Sequence, residues 1–231
     1  MRGMRILLCD DHRMLRDGLR AILEQAGFEV IGEAANGREV LALSEQLEPE
    51  IVIMDISMPE LNGVDATRRL LDRSPGLKVI GLSLKVIGLS MNSDRRYVVA
   101  MFAAGAVGYL LKSSASAELI IAVRAVASGL KYVSPAVAGG LVDDYLSRIG
   151  LAEPVPGNMP GPTLSRPLSV REREVLQLLA EGKSSKDIGA RLEIAATTVE
   201  THRRQIMDKL GLRTIAELTK YAVREGLTTL D

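Results

Sequence analysis

Residues 51–63 read IVIMDISMPELNG. Ile51, Val52, Ile53 and Met54 form an apolar run that ends on Asp55, and Pro59, Asn62 and Gly63 supply turn chemistry before a segment with helical spacing begins. A short run that is apolar at every position and bounded by turn residues fits a strand covered on both faces. The same unit recurs on either side of it. Strands are expected at 4–9, 28–34, 51–56, somewhere within 77–90, and at 107–111, followed in turn by helices at 13–26, 37–47, 63–73, 93–104 and 115–129. This alternation predicts an α/β domain in which a doubly wound, five-stranded parallel sheet carries helices on its faces. In the first helix Met14, Leu15, Leu19, Ile22 and Leu23 recur every three or four residues against Arg13, Arg16, Arg20 and Glu24, so one apolar stripe is expected to lie on the sheet.

The chain has 231 residues, 47% of them hydrophobic, which suits two cores joined by a linker. Residues 150–167, GLAEPVPGNMPGPTLSRP, hold five prolines and three glycines and sustain neither a helix nor a central strand. The expected division is a first domain at 1–130, a linker at 131–166 and a second domain at 167–231. Within the linker, 134–149 can form a helix that Gly139 and Gly140 weaken. The second domain reads as small and all-helical. Ser169 with Glu172, Thr197 with Glu200 and Thr214 with Glu217 have capping-box spacing, and Gly182 and Gly211 sit where left-handed C-terminal caps are wanted.

Lys+Arg and Asp+Glu both number 29, and residues 166–231 carry 12 basic against 10 acidic residues. Charge alone therefore argues for no nucleic acid, membrane or acidic substrate, and such a claim has to rest on local placement. Cys9 is the single cysteine, which excludes a disulfide or thiolate cluster within the chain and leaves a buried structural thiol as the expectation. The N-terminal apolar run is too short for a signal-peptide core, and no stretch approaches the roughly 20 apolar residues that cross a bilayer. A cytoplasmic protein is expected.

In a parallel sheet, ligands bind beyond the carboxyl ends of the strands. The polar residues of the first domain gather there: Asp10 and Asp11 after strand one, Asp55 after strand three, a serine after strand four and Lys112 after strand five. Three carboxylates at one edge repel one another unless a cation neutralises them, and a hard divalent ion with oxygen ligands, Mg²⁺, meets that need. The set suits phosphoryl transfer to a carboxylate, with Asp55 as nucleophile, Lys112 stabilising the transferring charge and the serine hydroxyl holding a phosphoryl oxygen. The bland reading of any single one of these acids is a helix cap.

On ILLCDDH, IVIMDISMPELNG and GYLLK the chain resembles the receiver domain of two-component response regulators. That resemblance implies a flavodoxin-like fold, Asp55 as the phosphorylated residue, Asp10 and Asp11 as metal acids together with Asp55, and a further metal contact from the backbone carbonyl of Ser57. It also places Met58, Pro59 and Gly63 in the adjoining turn and makes Tyr109 the aromatic that moves inward on activation.

One departure from that pattern is the perfect repeat LKVIGLS at 77–83 and 84–90, which offers both Ser83 and Ser90 as the switch serine. If 84–90 is the strand, the spare copy precedes it at the edge remote from the pocket, where insertion is tolerated. If 77–83 is the strand, an apolar loop sits over the pocket. Ser90 is favoured on that ground, and Ser83 stays open.

Residues 185–204, SKDIGARLEIAATTVETHRR, read as two short helices joined by a tight turn near 193–196, a helix-turn-helix running from Ser185 to Arg204. On the second helix Val199, Ile206 and Leu210 share one arc, and Thr197, Glu200, Thr201, Arg204 and Asp208 lie opposite, free to enter a major groove. Lys183, Lys186, His202, Arg203, Lys209 and Arg213 suit phosphates, which position a helix without specifying sequence. A solvated charged face is the alternative. The stretch LSVREREVLQLLAEGKSSKDIGARLEIAATTVETHRRQIMDKLGL is similar to the LuxR-type DNA-binding domain, whose union with a receiver defines NarL/FixJ-type regulators. The resemblance implies that Glu200, Thr201 and Arg204 face the groove and that the last helix, 214–225, pairs subunits. Leu218, Tyr221 and Ala222 can serve that pairing or the domain's own core.

The expected function is that of a DNA-binding transcriptional regulator, not an enzyme beyond slow autophosphatase activity. A sensor histidine kinase would phosphorylate it on Asp55, and a homodimer would bind two-fold related DNA half-sites without a membrane. Two alternatives stay open: a phosphorylation-independent regulator whose switch the repeat disables, and a stand-alone aspartyl-phosphate phosphotransferase or phosphatase.

Overall fold

The computed structural model describes residues 3–72, 84–91, 94–148 and 168–228. Two compact units divide the chain. In the first, the strands β1 (Arg5–Cys9), β2 (Glu29–Ala34), β3 (Ile51–Asp55), β4 (Lys85–Ser90), β5 (Gly108–Leu111) and β6 (Tyr132–Val133) form a single sheet in the order β2-β1-β3-β4-β5-β6, all parallel. The helices α1 (Arg13–Gln25), α2 (Gly37–Leu47), α3 (Gly63–Asp72), α4 (Arg95–Ala103) and α5 (Ala115–Ala127) alternate with the first five strands, and α6 (Pro135–Arg148) follows β6. Every residue of β3 is buried, as expected of a central strand between two helical layers.

Alternation along the strands supplies two cores. Ile6, Leu8, Ile51, Ile53, Ile87, Leu89 and Leu110 pack with Leu19 and Leu23 of α1 and with Leu119, Ala122, Val123 and Val126 of α5. Their strand neighbours Leu7, Cys9, Val52, Met54 and Val86 are buried as well. Within α1, Leu15 and Ile22 lean on the first core, but Met14 is 88% exposed and falls outside the stripe the spacing assigns it. Its side chain is left in solvent while the adjacent Leu15 takes the inward position.

The sheet has six strands, not five. Two residues are too short a run to show a period, and β6 exists because of its neighbours. Tyr132 N donates to Val107 O and Ser134 N to Tyr109 O, so the chain leaving α5 is drawn alongside β5. The sheet thus takes in Tyr132 and Val133, which the sequence reading gave to the linker. Helix α6 runs through Gly139 and Gly140 without interruption.

The second unit is built of α7 (Val170–Ala180), α8 (Ser185–Leu192), α9 (Ala196–Leu210) and α10 (Ile215–Arg224) around Val175, Leu176, Leu178, Ile188, Val199, Ile206, Leu218 and Ala222. Capping boxes open α7 at Ser169 with Glu172, α8 at Ser184 with Asp187, and α10 at Thr214 with Glu217. The box expected at Thr197 and Glu200 is absent: α9 begins at Ala196, so Thr197 already lies inside the helix, where its carbonyl accepts from Thr201 Oγ1 at 3.0 Å. At the far end of α9, Gly211 takes φ +66° and forms the left-handed cap. Leu218 and Ala222 belong to the unit's own core.

Candidate functional site

Strand order reverses between β1 and β3, and the loops leaving the carboxyl ends of those strands open there. Asp55 closes β3, Asp10 and Asp11 follow β1, Ser90 closes β4 and Lys112 follows β5. The structure brings Asp10, Asp11, Asp55 and Lys112 into one pocket. Lys112 Nζ lies 2.7 Å from Asp10 Oδ2 and 2.9 Å from Asp55 Oδ2, with its side chain 7% exposed. Asp10 and Asp55 are buried and Asp11 is half-buried.

The backbone around these groups is closely held. Asp10 N donates to Ala34 O, and Asp10 Oδ1 accepts from His12 N at 2.9 Å. Arg16 of α1 donates through Nη1 to the Asp10 carbonyl at 2.5 Å and through Nε to Glu33 Oε2 of β2 at 3.1 Å. On β3, Ser57 N donates to Asp55 Oδ1 at 3.3 Å. Gly63, at the start of α3, donates its amide to Ile56 O, and a β-carbon there would lie 2.0 Å from Asp55 O, so the tight return of the chain requires glycine.

One ammonium faces three carboxylates, and the electrostatics show the imbalance. Burial raises the Asp55 carboxyl to about 7, with the charge of Asp10 adding to it and Lys112 opposing. Burial works to lower Lys112, but Asp55 and Asp10 outweigh it and hold the ammonium above the ordinary lysine range. Asp10 Oδ2 and Asp55 Oδ2 share the one Lys112 ammonium, and Asp11 Oδ1 lies beside His12 Nδ1. Ligand atoms of Asp10, Asp11, His12 and Asp55 lie within 4.8 Å of one another, so the pocket is compatible with a divalent cation. His12, whose Nδ1 is 2.7 Å from Asp11 Oδ1, was missed in the sequence although it directly follows the acidic pair.

Beside the pocket, β4 is formed by the second copy of the repeat, and Ser90 is buried opposite Leu111 in the β4–β5 register. Ser83 lies outside the described residues. Tyr109 is fully buried, not half-buried as a strand aromatic often is, and its hydroxyl is hydrogen-bonded to the Ser90 side chain. Cys9 is buried with its Sγ 3.2 Å from Met58 Sδ, and burial pushes the thiol well above its usual range, which leaves it protonated and inert.

In the second unit, α8 and α9 form a helix-turn-helix whose turn passes through Glu193 at φ +55°. Thr197, Glu200, Thr201, Arg204 and Asp208 are all exposed along one side of α9, opposite the buried Val199 and Ile206. Glu200 accepts from the Ser185 hydroxyl of α8 and lies 3.6 Å from Arg203. Lys186 and Arg213 are exposed, and Lys183, His202 and Arg203 are half-buried. Lys209, expected on a phosphate, has its ammonium 2.7 Å from Glu172 Oε2 and ties α9 to α7. Spacing gave no sign that α7 would bring a buried acid there. Arg171 was also missed: it pairs with the buried Glu174 at 3.0 Å and donates to Leu192 O, anchoring the end of α8 and hence the turn.

Comparison with known proteins agrees with both halves of this geometry. Residues 6–124 match the response regulator receiver domain family, and residues 166–222 match the bacterial regulatory proteins of the luxR family. The transcriptional regulatory protein LiaR of Bacillus subtilis is 38% identical over 97% of this chain and 99% of its own. MctR of Rhizobium johnstonii, also a transcriptional regulatory protein, is 34% identical over 98% and 96%. A solved structure of two RcsB dimers bound to two parallel DNAs aligns with a TM-score of 0.53 and 26% identity, covering 95% of this chain and 97% of that one. The chain belongs to the transcriptional response regulators of two-component systems that join a receiver domain to a LuxR-type DNA-binding domain.

Proposed function

We propose that Asp55 is the phosphoacceptor of this regulator and that a sensor histidine kinase is the donor. The observation that carries the reading is the placement of Lys112 Nζ within hydrogen-bonding distance of both Asp10 and Asp55 in a buried pocket. An Asp55 carboxylate oxygen attacks phosphorus, the bond from phosphorus to the donor's histidine nitrogen breaks, and the electron pair leaves with that nitrogen. Lys112 balances the negative charge of the transferred group, and the Ser90 hydroxyl can donate to one of its oxygens. Tyr109, already bonded to Ser90, would follow any movement of that hydroxyl. The chain itself acts as acceptor, with at most a slow return of the phosphoryl group to water.

The clustered carboxylate oxygens of Asp10, Asp11 and Asp55, two of them sharing a single ammonium, fit Mg²⁺, which takes oxygen ligands. With the Ser57 carbonyl, these three acids would hold it. When bound, the ion would supply positive charge against the incoming phosphoryl group.

For the output we assign a DNA-reading face to Thr197, Glu200, Thr201 and Arg204, with Lys183, Lys186, His202, Arg203 and Arg213 toward phosphates. The exposure of the first four along one side of α9 supports this, as does the solution of RcsB dimers on DNA. The receiver takes residues 1–130 together with β6 and α6, the remaining segment to 166 links, and 167–231 bind DNA, with two copies on two-fold related half-sites. Among the described residues no helix is long and apolar enough to cross a membrane, in keeping with action in the cytoplasm. The test is labelling by radioactive acetyl phosphate with Mg²⁺: the full chain takes up one label and Asp55→Asn takes none. Equal labelling of the two would move the acceptor elsewhere.

A further inference from the structure

The connection from β5 to α5 is closed by a clasp that lies outside the acidic pocket. Its centre is Ser134, fully buried between β6 and α6. Ser134 N donates to Tyr109 O at 2.9 Å, and Ser134 Oγ accepts from Leu111 N at 3.3 Å. The same hydroxyl donates to Glu118 Oε2 in the first turn of α5, where Tyr132 OH also donates at 2.9 Å. The Ser134 carbonyl accepts from Val137 N and Ala138 N and so opens α6. Lys112 sits inside the loop thus closed, after Leu111 and before Glu118.

We propose that Ser134 and Glu118 are positioning residues for Lys112, and that through Ser134 the placement of Lys112 is coupled to the first turn of α6. This rests on the reading of Asp55 and Lys112 given above. A serine hydroxyl has one hydrogen to donate. With that hydrogen committed to Glu118, its lone pairs are left for the Leu111 amide, the last donor before Lys112. Lys112 must reach two carboxylates at once, at 2.7 and 2.9 Å, so the backbone that carries it has little room to drift. Without the hydroxyl, Leu111 N–H is buried with no acceptor, and the strand end has to shift to find one. The residue that fixes the strand end is also the residue on which α6 begins. A displacement of Tyr109 or Lys112 therefore reaches α6 through a single residue, Ser134, without a chain of intermediate contacts.

The experiment uses the full chain, with two readouts: labelling by acetyl phosphate with Mg²⁺, and hydrogen exchange of backbone amides with and without beryllofluoride and Mg²⁺. In the wild type, beryllofluoride changes exchange both at 109–112 and in α6. Ser134→Ala is expected to label roughly fivefold more slowly, the scale of one lost hydrogen bond, and to confine the exchange change to 109–112. Glu118→Gln moves both readouts in the same direction. Ser134→Thr, which keeps a hydroxyl, recovers them, and Tyr132→Phe leaves both at wild-type values. The proposal is overturned if Ser134→Ala and Glu118→Gln label normally and still pass the change to α6. It is overturned equally if Tyr132→Phe loses as much as Ser134→Ala, because packing of β6 would then be the cause. Should Ser134→Ala fail to fold, Glu118→Gln decides. If the wild type takes no label, the Asp55 reading fails, and the clasp is judged in the resting protein: there Ser134→Ala or Glu118→Gln must speed exchange at Leu111 and in the first turn of α6 together.

Discussion

Arg16 shows how much a single side chain outside the pocket decides. Its guanidinium bridges the Asp10 carbonyl and Glu33, and Glu33 is held in turn by Arg20 Nε at 2.7 Å. A lysine cannot make both contacts from one planar fork. Arg16→Lys and Arg16→Ala are therefore expected to weaken divalent-cation binding about tenfold, the usual scale for a residue that orients ligands. Calorimetric titration with Mg²⁺ checks this, and unchanged affinity in both variants would remove Arg16 from the site's support. Glu172 carries a prediction with a pH signature. Burial would raise its carboxyl, but Lys209 and the Ser169 backbone and hydroxyl outweigh burial and hold it below the usual range. A depressed folded value means the contribution is present at neutral pH and is lost as pH falls through that value. Glu172→Gln should cost on the order of 1–2 kcal/mol at pH 7, and the deficit should close as pH falls below the ordinary glutamate range and through the depressed folded value. Melting of the helical unit at pH 7 and through that acid range is the measurement, and a deficit that persists in acid would rule the pairing out as its source.

Strand β4 is the element on which the sequence was least decisive. Two identical copies compete for one place, and nothing in their composition separates them. The structure seats 84–90, with Val86, Ile87 and Leu89 buried and in register with β3. Residues 73–84, twelve in number, then join α3 to β4. Removing either copy yields the same chain and leaves five, which shortens loop closure by about 0.8 kcal/mol in favour of folding. The shortened protein should melt no lower than the parent and label at least as well, as thermal scans and acetyl phosphate would show. Loss of folding would mean that the first copy does more than connect. The other elements divide by the kind of signal they leave. Strands β1, β3 and β5 and helices α1 to α5 were legible because periodicity and turn residues mark them. β6 left no trace, since two residues have no period and its hydrogen bonds come from a neighbour. The start of α9 was misplaced because Thr197 and Glu200 carry capping spacing in a helix whose N-cap lies two residues earlier, at Ala195. Asp10, Asp11, Asp55 and Lys112 were found together because strand ends converge by topology. The pairing of Lys209 with Glu172 was not legible because the two are remote in sequence and the acid is buried by tertiary packing.

On the scale of the whole molecule, the two units differ in what they ask of their surroundings. The receiver has an excess of buried carboxylate that a cation relieves, and the helical unit has no comparable cluster among the described residues. Mg²⁺ at a hundredfold excess over its dissociation constant should stabilise the receiver by about 2.7 kcal/mol, a rise of roughly 5–11 °C. The helical unit's transition should stay where it is in the presence of EDTA. Calorimetry of the full chain resolves the two, and a shift common to both transitions would show that they unfold as one.

The two-residue β6 bears on aggregation. An open sheet has two flanks, and a flank with unpaired backbone groups can template a strand from another chain. Along β5 the rungs that β6 is too short to supply are completed by Ser134, which uses its amide on Tyr109 O and its hydroxyl on Leu111 N, and Pro135 follows with no amide hydrogen to offer. That flank is thus closed to a foreign strand by a side chain. A second copy of the receiver brought against that flank would then meet helices and loops without fusing its sheet to this one.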